Sequence, residues 1–158
     1  MTARFVLPTV CPLTQGDGSH GDAKRPVKLT LHPVTLPLRH VFRLTHGARD
    51  VVRSVIVELR DGDVSGYGEA APPPYYGVTC ESLLETLTRV RATVESTDFS
   101  APADFWERLH GLLPEQPFAL CALDLAAHDL WGKRLGQPVY KLWGLSAQTC
   151  PPSNYTIG

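Results

Sequence analysis

The chain has 158 residues, of which 43% are hydrophobic and 20% charged, and its 15 Lys and Arg residues nearly balance 16 Asp and Glu residues for a formal net charge of -1. This length suffices for one domain with a hydrophobic core, but it falls short of the about 250 residues of a complete α/β-barrel enzyme. The near balance of charge gives no electrostatic footprint for nucleic acid and no sign of a basic face for an anionic membrane, so we expect neither as a partner.

The first 26 residues show no periodicity, and we expect them to form a disordered leader. The short apolar stretch at the N-terminus is interrupted by Pro8 and Pro12, so it lacks the unbroken run of about 7–15 apolar residues of a secretory signal. No stretch approaches the about 20 apolar residues of a membrane span. The spacing of the cysteines favours free thiols and a cytoplasmic protein, although a disulfide stays open. The cysteines are Cys11, Cys80, Cys121 and Cys150.

Three strands are predicted next, because apolar and polar residues alternate over residues 28–38, 51–60 and 64–69. The pair Asp61-Gly62 is typical of a tight hairpin turn, so the last two strands should pair. We interpret residues 39–50, with mixed charge and a glycine, as a surface loop. The prediction is a three-stranded antiparallel meander.

Helices follow three prolines at 72–74, which cannot continue a strand ladder. Thr79 is the predicted N-cap of a helix that reaches Ser96. A second helix carries Phe105 to a stop before Pro114, and a third begins at Pro117. The third helix is apolar around most of its circumference, so we expect it to be buried between two layers. Strands followed by helices predict an α+β fold.

Two stretches carry a resemblance to the enolase superfamily. Residues 66–70 (Gly-Tyr-Gly-Glu-Ala) are similar to a stretch of its N-terminal capping domain, and residues 122–144 are similar to its linker helix and the turn into its barrel. The muconate-lactonizing branch, and the N-terminal part of its dipeptide epimerases, fits best, because Tyr155-Thr156 resembles the end of their first barrel strand.

The resemblance implies a domain organisation. It places an α+β capping domain at residues 27–116 after the leader, a linker helix and turn at 117–150, and the first strand of a truncated (β/α) barrel at 151–158. It also implies Mg²⁺ bound by acidic residues of later barrel strands, and lysines that move the proton next to a substrate carboxylate. The full-length enzyme is expected to form a homo-oligomer.

We expect no catalytic residue and no metal ligand in this chain, because the family's lysines and acidic strand ends have no counterpart here. The leading hypothesis is an N-terminal lid fragment of a racemase or epimerase acting on a carboxylate such as a dipeptide, inactive without its missing barrel domain. Two alternatives stay open. The chain is either a non-catalytic module that docks on a separate barrel polypeptide, or the lid of a cycloisomerase or o-succinylbenzoate synthase-type enzyme.

Candidate substrate-binding residues follow from the same resemblance, since the family's lid loops reach over the barrel mouth. Four of them lie on the loops, where the alternative is a simple surface position: Phe42, His46, Tyr75 and Tyr76. The fifth and best single candidate is Thr156, because a hydroxyl at a strand end points into a barrel mouth; the alternative is a hydroxyl that caps the next turn.

Several charged residues are open to two interpretations. Asp124 and His128 are four residues apart on one helix face. They form either an acid–base dyad or a structural pair, and we favour the structural pair. Asp129 and Lys133 have the same spacing and the same interpretation. Glu69 either faces an active site or is a hydrogen-bonded carboxylate at a sheet edge, which we favour.

Overall fold

The computed structural model describes residues 26–44, 47–72 and 76–153. Its sheet has the order β1-β2-β3, with both neighbouring pairs antiparallel. The strands are β1 (Lys28–Leu44), β2 (Gly47–Asp61) and β3 (Val64–Ala70). The helices are α1 (Cys80–Ser96), α2 (Pro102–Leu112), α3 (Pro117–Arg134) and α4 (Val139–Leu142), and a 3₁₀ turn follows at Ala147–Thr149. The predicted α+β fold with a three-stranded meander is confirmed.

The predicted surface loop at residues 39–50 is wrong in its described part. β1 and β2 continue to pair there, with Phe42 opposite Arg49 and Leu44 opposite Gly47. The register of the two strands shifts between Pro37 and Phe42, where the ladder of backbone hydrogen bonds is interrupted. The sequence gives no strand signal because both faces of this extension are largely exposed, so nothing imposes alternation. We call residues 38–44 and 47–50 the arm.

The hydrophobic core lies between one face of the sheet and the helices. Val55, Val57 and Leu59 of β2 are fully buried on this face beside Leu29 of β1. The helices contribute their apolar stripes, and the largest fully buried helical side chains are Leu83, Leu87, Phe105, Leu109, Leu123 and Leu130. Burying side chains of this size contributes roughly 1.5–3 kcal/mol each.

Local signals fix the helix ends. Thr79 is the N-cap of α1 and forms a capping box with Ser82, as the N-cap prediction requires. Pro117 occupies the first turn of α3, where a missing N–H costs nothing.

Helix α3 packs directly on the backbone of β3. A Cβ atom added at Gly66 would lie 2.3 Å from the Ala126 carbonyl oxygen, and one added at Gly68 would lie 2.0 Å from the Ala122 oxygen. Two side-chain-free positions therefore let helix and strand meet without a layer between them. Helix α3 also contacts α1 and α2, so within the described residues it lies between the sheet and the other helices, and Cys121 and Leu125 mark the stripe of it that is exposed.

The domain boundaries stay a prediction. The leader expected at residues 1–26, apart from Pro26, lies outside the described residues, and so does the barrel strand expected at 151–158, apart from residues 151–153, which have no regular secondary structure. Among the described helices none has the length and apolar character needed to cross a membrane.

Candidate functional site

The predicted substrate-binding residues fall in two places. Phe42 lies on the arm, half-buried, with the Arg49 guanidinium 5.4 Å from its ring centroid. Tyr76 precedes α1, is 61% exposed, and has its ring 5.4 Å from that of Phe118 at the start of α3. The other three, His46, Tyr75 and Thr156, lie outside the described residues. A substrate-binding role for all five stays a prediction.

The arm is basic, although the whole chain is not. Its described residues hold Arg39, Arg43 and Arg49 against the single acidic residue Asp50, and all four are exposed. The Arg49 guanidinium lies within cation–π distance of the Phe42 ring, and its N–H groups are hydrogen-bond donors. The arm therefore suits a carboxylate or another anionic group.

A groove runs along the free edge of β3, between that strand and α3. Helix α4 closes one end, because Val139 packs over Gly132 of α3. The groove has a volume of about 600 Å³ and is mostly apolar. We call it the β3–α3 groove; its lining residues are Ile56, Tyr67, Gly68, Glu69, Asp124, Leu125, His128, Asp129, Val139 and Trp143.

His128 is held inside this groove by its own helix and by α4. Its Nδ1 atom lies 3.0 Å from the Asp124 carbonyl oxygen and 3.4 Å from the Asp124 carboxylate. Its ring contacts the Trp143 ring at 5.3 Å, edge to face. The Asp124 contacts lie within α3, and the Trp143 contact fastens the residue after α4 to it, so the geometry supports the structural interpretation of the Asp124–His128 pair.

Asp129 and Lys133 cap the free edge of β3. The Asp129 carboxylate accepts a hydrogen bond from the Tyr67 backbone N–H at 2.8 Å and pairs with Lys133 Nζ at 2.6 Å. Lys133 also donates to the Ser65 carbonyl oxygen at 3.0 Å and lies 5.0 Å from the Tyr67 ring centroid. The spacing of the pair was visible in the sequence, but its backbone partners, 62 and 68 residues away, were not.

Replacing Asp129 by alanine is expected to lower the free energy of unfolding by about 1–2 kcal/mol. The Tyr67 N–H loses its acceptor, while the partly exposed ion pair adds little. Urea unfolding followed by circular dichroism measures the change. Glu107→Ala, at an exposed carboxylate of α2, is the matched control, and equal effects of the two variants would contradict a capping role.

The other face of the sheet carries a buried carboxylate. Glu58 of β2 is only 6% exposed. It accepts hydrogen bonds from Ser65 Oγ at 2.8 Å, His32 Nε2 at 2.8 Å and Arg60 Nη2 at 3.0 Å. Burial by itself raises the pKa of the Glu58 carboxyl, but these hydrogen bonds outweigh it and lower the pKa from 4.5 to about 2.

The described residues do not fit the magnesium ion that the family resemblance implies. Three or more His, Cys, Asp or Glu side chains are nowhere grouped in residues 26–44, 47–72 and 76–153 so that they could hold a metal ion. The three cysteines in these residues, Cys80, Cys121 and Cys150, are free thiols.

Comparison with known proteins places residues 26–144 within the sequence profile described as the mandelate racemase / muconate lactonizing enzyme N-terminal domain. The chain is 39% identical over 132 residues to an L-Ala-D/L-amino acid epimerase of Flavobacterium johnsoniae, covering 84% of this chain and 39% of that protein. It is 41% identical over 132 residues to an L-Ala-D/L-Glu epimerase of Bacteroides thetaiotaomicron, covering 84% and 34%.

A solved structure shows the same fold. The dipeptide epimerase of Methylococcus capsulatus, complexed with Mg and the dipeptide L-Arg-D-Lys, superposes with a TM-score of 0.68 at 27% identity, over 75% of this chain and 35% of that one. The chain therefore spans about two fifths or less of the length of each of these relatives.

Proposed function

The chain belongs to the mandelate racemase / muconate lactonizing enzyme family, as its sequence predicted, and from this membership we propose that it is the lid of a dipeptide epimerase and is inactive alone. The observation that carries the proposal is the match of 84% of the chain, at 39–41% identity, to 34–39% of the length of named epimerases, together with the match to the family's N-terminal domain.

The remaining part of such an enzyme would supply what this chain does not offer. We infer that the catalytic groups and the Mg²⁺ site belong to the barrel polypeptide that makes up the rest of the relatives. The free cysteines suit a cytoplasmic protein, and a homo-oligomer is proposed for the complete enzyme.

The contribution of this chain is to recognise the substrate. We propose that the arm, with Phe42 and Arg49, contacts the substrate together with Tyr76 and with His46, Tyr75 and Thr156 outside the described residues. Named relatives differ in substrate charge, since one is an L-Ala-D/L-Glu epimerase and another was solved with L-Arg-D-Lys. The three exposed arginines of the arm favour the acidic kind, for which L-Ala-L-Glu is the proposed substrate.

The test is a chimera in which residues 26–153 replace the matched two fifths of the Flavobacterium johnsoniae epimerase. We expect deuterium from solvent to enter the α-position of L-Ala-L-Glu when Mg²⁺ is present, as followed by NMR. Exchange of L-Ala-L-Lys should be about tenfold slower, which corresponds to about 1.4 kcal/mol for one partly exposed charge pair.

The 158-residue chain alone should exchange no faster than buffer. A chimera that folds, as judged by circular dichroism, but exchanges no dipeptide would contradict the proposed function. Exchange by the chain alone would contradict it as well. The cycloisomerase-type lid and the stand-alone interaction module remain predictions that no observation here favours.

A further inference from the structure

The free edge of β1 is a place where a strand of another molecule could add to the sheet, because β1 is an outer strand in the order β1-β2-β3. We propose that Glu95, Pro33 and Pro37 close this edge, and that opening it lets a second copy of the chain pair there, β1 against β1. This closure does not depend on the proposed function, since it concerns the sheet alone.

β1 is long for an outer strand. It runs over 17 residues, from Lys28 to Leu44, whereas strands of globular proteins usually have about 3–10 residues. An unpaired edge of this length presents a row of backbone N–H and C=O groups to which the edge of another sheet can bind. Proteins that stay monomeric block such edges, so the backbone groups along β1 need an account.

The hydrogen bond of Leu29 shows which residues of β1 face the free edge. Its backbone N–H donates to the Glu95 carboxylate of α1 at 3.0 Å, so it points away from β2. In an antiparallel pair, the backbone groups of every second residue point to the partner strand and those of the others point away. The register with β2 is regular from Lys28 to Pro37, so residues 29, 31, 33, 35 and 37 all direct their backbone groups outward.

Three of these five positions offer no donor to an incoming strand. The Leu29 N–H is bound to Glu95, and the prolines at 33 and 37 have no N–H. Proline at these two positions costs no hydrogen bond to β2, because the N–H of any residue there would point away from that strand. Leu31 and Thr35 keep an outward N–H, and a proline lies between them.

The opposite edge of the sheet is closed by the same kind of contact. The outward Tyr67 N–H of β3 donates to the Asp129 carboxylate, and Lys133 donates to the Ser65 carbonyl oxygen, both from α3. A helix carboxylate therefore occupies an outward N–H on each outer strand. Because two different helices supply it, protection of the sheet edges explains the pattern better than a chance contact does.

A second copy of this chain is the partner that fits the edge of β1. Two β1 strands that meet antiparallel about a twofold axis at residue 33 place residue 29 opposite residue 37 and residue 31 opposite residue 35. Every outward position from 29 to 37 then faces an outward position of the other copy. In the native chain this pairing lacks three of the five donors that each copy would contribute.

Restoring the donors tests the closure. The triple variant Pro33→Thr, Pro37→Thr and Glu95→Ala supplies an N–H at 33 and 37 and releases that of Leu29; threonine suits an exposed strand. We expect it to self-associate at least about tenfold more tightly than the native 158-residue chain in sedimentation equilibrium. Amide hydrogen exchange in residues 29–37 should slow as the concentration of the variant rises, and should not do so in the native chain.

Two further proteins separate opening of the edge from a general effect on the fold. Thr35→Pro, added to the triple variant, removes an outward donor without removing a hydrogen bond to β2, and it should return self-association to the native level. The matched control is the double variant Pro114→Thr and Glu85→Ala, at an exposed proline and an exposed carboxylate outside the sheet. It should associate as the native chain does.

A triple variant that is folded, as judged by circular dichroism, but associates no more tightly than the native chain would overturn the proposal. Association that persists after Thr35→Pro, or that slows exchange only outside residues 29–37, would overturn it too, because another surface would then be responsible. If the triple variant does not fold, Pro33→Thr alone decides by the same measurements, since it restores the donor at the centre of the pairing.

Discussion

Replacing Gly68 by alanine is expected to destabilise the domain by about 3 kcal/mol or more, which is a large part of the stability of a domain of this size. The added Cβ would lie 2.0 Å from the Ala122 carbonyl oxygen and 2.8 Å from the Ala126 backbone nitrogen. Both neighbours are backbone atoms of α3, so the overlap cannot be relieved by rotating a side chain. Either the helix moves away from β3 or the strand leaves its register.

Gly111→Ala is the matched control, because a Cβ at that position meets nothing within 4 Å. Gly111 lies inside α2, where alanine is the better helix former, so this variant should be unchanged or more stable by about 0.5 kcal/mol. Urea unfolding of both variants gives the comparison. If the Gly68 variant unfolds at the same urea concentration as the native chain, the direct contact between α3 and β3 is not what holds the helix in place.

Replacing Glu58 by glutamine is expected to lower the free energy of unfolding by about 2 kcal/mol at pH 7. A shift of the carboxyl pKa from 4.5 to about 2 corresponds to about 3 kcal/mol, which we reduce because Arg60 and His32 are about half exposed. The folded pKa is lowered, so the native chain gains this stability above pH 4.5 and loses it as the pH falls from there toward 2.

The difference in stability between the native chain and Glu58→Gln should therefore be largest at neutral pH and close toward pH 2. Unfolding in urea at a series of pH values measures it. Glu85→Gln, at an exposed carboxylate of α1, serves as the control, and its free energy of unfolding should change with pH as that of the native chain does. If the free energies of unfolding of the native chain and of Glu58→Gln differ by the same amount from pH 7 to pH 2, the loss of stability comes from packing and not from the charge of Glu58.

The hairpin between β2 and β3 shows how far local signals reach. Gly62 adopts a φ of 58°, which favours glycine, and Asp61 pairs with Val64 across the turn. The arm was missed because its residues are exposed on both faces, so strand pairing there leaves no alternation of polar and apolar residues. Strand pairing without burial imposes little recognisable pattern on the amino-acid sequence.

The groove was less predictable than the fold. The spacing of Asp129 and Lys133 was evident, but the hydrogen bond to the Tyr67 N–H depends on how α3 lies against a strand 62 residues earlier. The role of Trp143 in closing the groove depends likewise on its contact with His128. Of the predicted substrate-binding residues, the structure describes Phe42 and Tyr76, and their role still depends on a partner.

The sequence by itself determined the order of strands and helices, their caps and turns, and membership of the family through residues 66–70 and 122–144. Each of these depends on periodicity, or on residue types within a few turns of chain. Only the tertiary structure decided that Glu58 is buried on the outer face of the sheet, and that one stripe of α3 is left uncovered. Burial of that kind is set by which distant segments pack together, and a local pattern does not record it.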